Sequence, residues 1–275
     1  MYNFDMFKHL RKLFGFSRHS ATLMSGFLLT CFLIVYIWWP LVEEYISYFD
    51  GRYPWYFYVD WLLLGIFAFM SLTIMARANL RVDGLIILVG LGGGLVIESW
   101  GTQTNLWHYY TAERPPLWII PAWPIASLSI DRITRSLGWA TAKWRESIFR
   151  ALYWPIMLGF YALMVVFVAP TLDKPYTWVA LVISALMILT PPSQRMALLV
   201  FLAGSGLGYF LELWGTTREC WTYYTLETPP VFAVFAHGMA AVAFWRAGLL
   251  ASKVLAKISE SDVNKLPWKL NTDGD

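Results

Sequence analysis

Charge is scarce in this sequence. Asp, Glu, Lys and Arg together make up 14% of 275 residues, whereas an average soluble chain is roughly a quarter charged. The net charge is only +3. A small and sparse charge excludes a nucleic-acid binder, which needs a basic face, and a disordered polar chain. Two cysteines, Cys31 and Cys220, exclude a disulfide scaffold. No H-E-x-x-H or related metal spacing occurs around His108 or His237, so no metal and no cofactor is expected. The Gly90–Gly94 cluster falls inside an apolar run, so it is no phosphate-binding loop. No Ser-His-Asp arrangement can be read from the chain.

What is abundant is apolar and aromatic: 58% hydrophobic residues, with 16 Trp, 15 Tyr and 18 Phe. The apolar residues fall in eight runs, at about 23–43, 55–76, 84–99, 117–131, 149–170, 175–191, 196–213 and 231–251. A helical crossing takes ~20 residues, so the third and fourth runs are marginal. The first run is read as a retained helix, because no small-residue cleavage site follows it. With the N-terminus inside, 17 of the 21 basic residues fall on the inner side and only Arg52, Arg114, Lys174 and Arg218 outside. That asymmetry follows the positive-inside rule. It predicts an all-α polytopic membrane protein with eight transmembrane helices and both termini cytoplasmic, in a bacterial inner membrane. Residues 3–15 (Phe4, Phe7, Leu10 and Phe14 on one face) and 132–148 pattern as helices lying on an anionic leaflet.

The chain also repeats itself at an offset of 114. Residues 98–132 and 212–246 share 14 identities in 35 without a gap, among them a Glu, two Trp, two Tyr and a Pro pair. Gly90, Gly92 and Gly94 align with Gly204, Gly206 and Gly208. Four spans per unit make a parallel repeat, with a pseudo-twofold along the membrane normal. The expected organisation is an amphipathic segment (1–22), repeat 1 (23–131), an interfacial linker (132–148), repeat 2 (149–251) and a cytoplasmic tail (252–275). The Gly pairs suggest that the third and seventh helices pack at the centre, although glycine is common in membrane helices generally.

Ionisable residues at membrane depth are functional candidates, because keeping them there is costly. Four gather near the outer side: Asp60, Glu98, Glu212 and His237, with Asp60 placed ~7.5 Å into the second helix. His237 aligns with Trp123, so the copies differ there. Around the acids stand Trp100, Trp107, Tyr109 and Tyr110, and their matches Trp214, Trp221, Tyr223 and Tyr224. These aromatics suit an interfacial belt, but the duplicated W-G-T-x4-W-x-Y-Y spacing beside Glu suits the lining of a site. A carboxyl in an apolar pocket can stay protonated at neutral pH, and aromatic faces stabilise cations. Together they suit protonation of a carbon–carbon double bond in an isoprenoid lipid, followed by hydration or cyclisation. The glutamates equally suit a structural role, capping the WGT turns.

The run Glu98-x-x-Gly101-Thr102, then Trp107-x-Tyr109 and a Pro-rich helix start, resembles the membrane carotenoid hydratase family and, more loosely, the small membrane lycopene cyclases. The resemblance covers roughly residues 90–125 and 204–240. It implies a cofactor-free enzyme acting on a polyene end group, with Glu98 and Glu212 as candidate acids. The second copy departs from the pattern at Phe235, His237 and Gly238. Two other readings stand beside it. A transporter or lipid-binding protein would pass protons through the same ionisable groups. A structural subunit would present its aromatics to a partner in a membrane complex. The expected partners are otherwise a lipid-soluble substrate and membrane lipids, with no nucleic acid.

Overall fold

A computed structural model describes residues 15–265, with side chains described as far as Lys257. The expected amphipathic helix at 3–15 lies almost wholly outside the described residues, as does the last part of the tail.

Nine α-helices make up the described chain: α1 (Arg18–Ile37), α2 (Trp39–Ser47), α3 (Trp61–Met75), α4 (Leu80–Gln103), α5 (Ala122–Ala140), α6 (Glu146–Val168), α7 (Pro175–Leu189), α8 (Gln194–Thr217) and α9 (Val231–Lys265). Two short strands, β1 (Trp107–Tyr109) and β2 (Trp221–Tyr223), follow α4 and α8. Among the described residues five helical segments are long and apolar enough to cross a membrane: α1, α4, α6 with its following 3-10 turn, α8, and α9 as far as Lys257.

Several expected boundaries move. The run at 23–43 is two helices, because Pro40 opens α2 and the chain turns at Trp38. A proline is tolerated in a first helical turn and disrupts an interior one. The short helices are not the third and fourth spans. The α4 helix has 24 residues, whereas α3 and α7 have 15 each, only ~22 Å at helical rise. Within 132–148, α5 continues through Arg132 to Ala140. Likewise the tail is helical to Lys265; residues 252–265 hold no Gly or Pro to stop a helix.

The centre is built differently from the sequence expectation. Helices α4 and α8 are not the packed pair. Instead α4 packs on α5, α8 on α9, α5 on α8 and α9 on α4. The glycines make those first two contacts possible. A Cβ at Gly90 would lie 2.9 Å from the Pro124 backbone, and one at Gly204 would lie 2.7 Å from the His237 carbonyl. One turn further on, Gly94 and Gly208 leave room for the rings of Trp123 and His237. Around this centre, α1 packs on α3, and α6 packs on α7 and α8.

Arg132 and Arg246, which match across the repeat, lie within α5 and α9. Arg132 donates from Nε to the Ala76 carbonyl at the end of α3 (3.1 Å) and pairs with buried Asp83 (2.8 Å). Arg246 donates to the Met187 carbonyl and the Thr190 hydroxyl at the end of α7, each at 3.1 Å. Each therefore supplies donors to the carbonyls left unpaired at a helix C-terminus, where a cation is also favoured by the helix dipole. The tyrosines that end each W-x-Y-Y run do the same at the opposite end of the molecule. Tyr110 donates to the Ile37 carbonyl of α1 (2.6 Å), and Tyr224 to the Phe167 carbonyl of α6 (2.7 Å).

Candidate functional site

The site begins at the last turns of α4 and α8. Glu98 and Gly101 lie three residues apart on α4, hence on one face. The helix ends at Thr104, and Asn105 then takes a left-handed φ of 60°. This reverses the chain, so β1 runs back over the helix end. The second copy does the same after Glu212 and Gly215, with Glu219 at φ 54°. The two returning strands pair antiparallel, with Trp107 opposite Tyr223, His108 opposite Thr222 and Tyr109 opposite Trp221. The sequence marks these segments only as loops; three residues carry too little alternation to announce a strand.

The glycine of each W-G-T is a seat for an indole. A Cβ at Gly101 would fall 1.8 Å from the Trp107 ring, and one at Gly215 would fall 2.0 Å from the Trp221 ring. With hydrogen there instead, each indole lies flat enough on its helix to reach the glutamate a turn back. Trp107 Nε1 donates to Glu98 Oε2 (3.1 Å), and Trp221 Nε1 to Glu212 Oε2 (2.9 Å). Tyr109 donates its hydroxyl to Glu98 Oε1 (2.8 Å), and Tyr223 to Glu212 Oε1 (2.9 Å). Both phenols are pushed well above the ordinary tyrosine value, first by burial and then by the glutamate charges. They therefore stay protonated and act as donors.

The third contact differs between copies. Trp123 Nε1 donates to Glu98 Oε1 (3.1 Å), whereas His237 Nε2 meets Glu212 Oε1 at 2.8 Å. Trp123 and His237 then stack on one another across the copies, with ring centroids 5.8 Å apart and planes 19° off parallel. Each carboxyl thus has three neighbours, and each carboxylate offers about four lone-pair positions. One position on each Oε2 remains unfilled by protein.

Both glutamates open on one cavity of about 1040 Å³. Trp100, Trp107, Tyr109, Trp123, Trp221, Tyr223 and His237 share its wall, so the structure brings together nine of the thirteen residues singled out from sequence. Away from this end the wall is apolar, running past Val89, Met187, Phe244 and Ala247. From Glu98 to Val89 is nine residues of α4, ~14 Å. Lining residues on α4 and α7 stay accessible, Val96 at 69% and Val179 at 56%. The cavity is therefore not sealed between those two helices.

Four candidates stand off the cavity. Asp60 is not at depth inside a helix; it is the N-cap of α3, accepting from the Leu63 N–H (3.1 Å). It also takes Trp214 Nε1 (2.9 Å) and the Arg218 guanidinium (3.0 Å). Burial is the largest single influence on its carboxyl and acts upward, but these hydrogen bonds and the Arg218 charge together hold it below the usual carboxylate range. Trp214 is thereby a second-copy residue tied to the first copy, stacked on Trp38 at 5.7 Å. Tyr110 and Tyr224 serve the helix ends described above. Among the described residues no group of three His, Cys, Asp or Glu is placed to hold a metal ion. Both cysteines are free.

Sequence reasoning missed two features. The glycine seats were visible only as a repeated Gly three residues after Glu, with no hint of what would fill them. The other is Asp83, 1% exposed; it stands just before the third apolar run, and the matched position is Ala197. No family model matches the chain, and no curated protein or solved structure shows significant similarity to it.

Proposed function

We propose that this chain is an integral membrane enzyme that binds an isoprenoid or other polyene lipid and protonates one of its carbon–carbon double bonds, leading to hydration or cyclisation. In this reading the helices make eight crossings, as two parallel four-helix copies about a pseudo-twofold along the membrane normal. The motif face is extracytoplasmic and both termini are cytoplasmic, in a bacterial inner membrane. The short α3 and α7 cross where the outer connections dip into the headgroup layer. The matched contacts of Glu98 and Glu212, and the β1–β2 register centred on His108 and Thr222, support the twofold relation. Kinship with carotenoid hydratases and small lycopene cyclases remains part of the proposal.

One observation carries the reading. A mainly apolar cavity, open at α4 and α7, ends at two buried carboxyls ringed by aromatic side chains. Its volume lies at the upper end of small-molecule pockets, roughly 300–1,000 Å³, which suits a lipid chain. A hydrocarbon would lie along the apolar wall with one end at the glutamates. There a carboxyl O–H bond breaks, and the alkene π pair forms a new C–H bond. The resulting carbocation faces carboxylates and aromatic rings, which stabilise positive charge. Water then adds through a new C–O bond and returns a proton to the carboxylate. Alternatively a second double bond closes a ring, and a carbon-bound proton returns. Either way the enzyme ends as it began, and no cofactor is consumed.

The apolar far half of the cavity favours catalysis over proton-coupled transport, which needs ionisable groups along the whole path. A role in a larger membrane complex draws on a different region. Helix α2 and the 3-10 turn Trp55–Tyr58 bury no side chain and expose Trp39, Tyr45 and Trp55.

The test is lipid profiling of a deletion strain, followed by incubation of the purified chain in nanodiscs with that strain's lipid extract in D2O. Protonation at carbon leaves one non-exchanging deuterium in the product. The expected result is a lipid that accumulates in the deletion and is converted, with one C–D bond, by the purified chain. Unchanged lipids in the deletion, with no deuterium incorporated, would overturn the proposal.

A further inference from the structure

The two carboxyl clamps are equivalent at two contacts and differ at the third. Glu98 meets two indole N–H groups and a phenol. An indole only donates, and burial holds the phenol proton. None of these three neighbours exchanges a proton with Glu98. Glu212 meets one indole, one phenol and His237. The 2.8 Å contact between His237 Nε2 and Glu212 Oε1 is the one clamp contact that can hold a proton on either side. The imidazole is fixed for that role. Its ring stacks on Trp123 and lies over Gly208, where a Cβ would come within 2.5 Å of it. His237 keeps an 18% exposed side chain on the cavity wall, while Glu212 is 4% exposed.

Resting on the enzyme reading above, we infer that the copies divide the work: Glu212 is the carboxyl that protonates the lipid, His237 is the positioning residue whose ring nitrogen bonds the carboxylate left behind, and Glu98, which has no such partner, faces the cation from the other copy. The sequence repeat would let either glutamate act; the Trp123/His237 difference selects one. When Glu212 Oε2–H hands its proton to carbon, His237 Nε2–H donates a hydrogen bond to the carboxylate left behind and keeps its own proton. The proton lost later from water or from a ring carbon returns to Glu212, and His237 ends unchanged. The reacting end of the lipid therefore lies against the second copy, and its cation lies between the two clamps. The titratable groups lining the cavity around His237 are Glu98 on α4, Tyr109 on β1, Tyr176 on α7, Glu212 on α8 and Tyr223 on β2; no lysine or arginine lines it. His237 supplies the imidazole of this wall, so a high-pH limb that vanishes when His237 is replaced is the signature of the pair.

The decisive experiment exchanges the two ring positions. His237→Trp makes the second clamp like the first and should lower deuterium incorporation by about 100-fold, within the range for losing general acid–base help. Adding Trp123→His should restore at least about tenfold of it by moving the proton-exchanging contact to Glu98. His237→Gln keeps an N–H donor to Glu212 without a titrating ring; it should slow the reaction and flatten the high-pH limb while leaving the fold intact. Glu212→Gln should abolish incorporation. Glu98→Gln should leave a measurable residue with the pH limb unchanged. A His237→Trp chain within threefold of the parent, a pH limb that survives in His237→Gln, or a larger loss from Glu98→Gln than from Glu212→Gln would each overturn the assignment. A readout without substrate separates this from failure of the enzyme reading. Infrared difference spectra of the full chain in nanodiscs between pH 5 and 8 should show a carboxyl band that disappears in Glu212→Gln and His237→Gln but persists in Glu98→Gln. If that band behaves so while no lipid is turned over, the coupled pair stands and the enzyme reading falls. If the band is absent, or is lost in Glu98→Gln, the pair assignment falls.

Discussion

Gly101→Ala tests the link between the repeated motif and the carboxyl clamp. The added methyl would sit 1.8 Å from the Trp107 ring, whereas carbon atoms in contact stay roughly 3.5–4 Å apart. The indole must therefore retreat by about 2 Å. That carries Nε1, now 3.1 Å from Glu98 Oε2, beyond hydrogen-bond range. Losing a hydrogen bond to a carboxylate costs roughly 1.5–3 kcal/mol, and overpacking adds about 1–3 kcal/mol. Alanine's better helix propensity returns about 1 kcal/mol. The net is a destabilisation of about 1.5–5 kcal/mol. At about 2–4 °C per kcal/mol for a chain of roughly this size, the melting temperature should drop by on the order of 3–20 °C. Gly215→Ala should behave alike through Trp221. The control is Gly206→Ala on α8, where nothing lies within 4 Å of the added atom, and stability should hold or rise. The assay is thermal unfolding in detergent, followed by tryptophan fluorescence. A Gly101→Ala chain that melts within 1 °C of the parent, or that loses no more than Gly206→Ala, would refute the indole-seat account.

Other outcomes follow from the same geometry. Asp83→Ala removes the buried carboxylate partner of Arg132, itself 8% exposed, and leaves it Asp131 and the Ala76 carbonyl. Breaking a fully buried pair by removing one partner costs roughly 3–5 kcal/mol, and with Asp131 still in place the loss should fall below that range; the double variant Asp83→Ala/Arg132→Met should be milder, and equal melting temperatures for the two variants would count against a true buried pair. Asp60→Ala removes the α3 cap and should cost about 1–2 kcal/mol. Because the folded carboxyl of Asp60 is held below its usual range, its contribution is present above the ordinary carboxylate value and lost as pH falls through the lower folded value; a parent–variant gap that widens on acidification would contradict this sign. Burial is the main cause that pushes the Cys220 thiol up to about 12, so it should resist maleimide at pH 8 in the folded chain and react after denaturation; rapid labelling of the folded chain would disprove its enclosure.

Composition and periodicity were enough to reveal a helical, apolar chain with a duplicated motif, because both depend on neighbours close in sequence. Glu98 and Trp107 are nine residues apart, so one turn and one reversal bring them together, and the motif could be read as a unit. The helix ends were less legible. Pro40 divides α1 from α2 locally, but Arg132 continues α5 because Asp83, 49 residues earlier, receives its charge. Depth misled at Asp60, whose placement depends on Arg218 and Trp214 across the molecule. The expected α4–α8 centre failed for a similar reason: a glycine face announces close approach without naming what approaches. Hydropathy therefore determined that the chain is helical and apolar, and the repeat determined which residues belong together within each copy. Only the tertiary structure decided that the two copies share one cavity, that Trp123 and His237 meet face to face, and that equal glutamates sit in unequal clamps. Those facts rest on contacts across 114 residues of chain, and side-chain reach at that separation is set by packing.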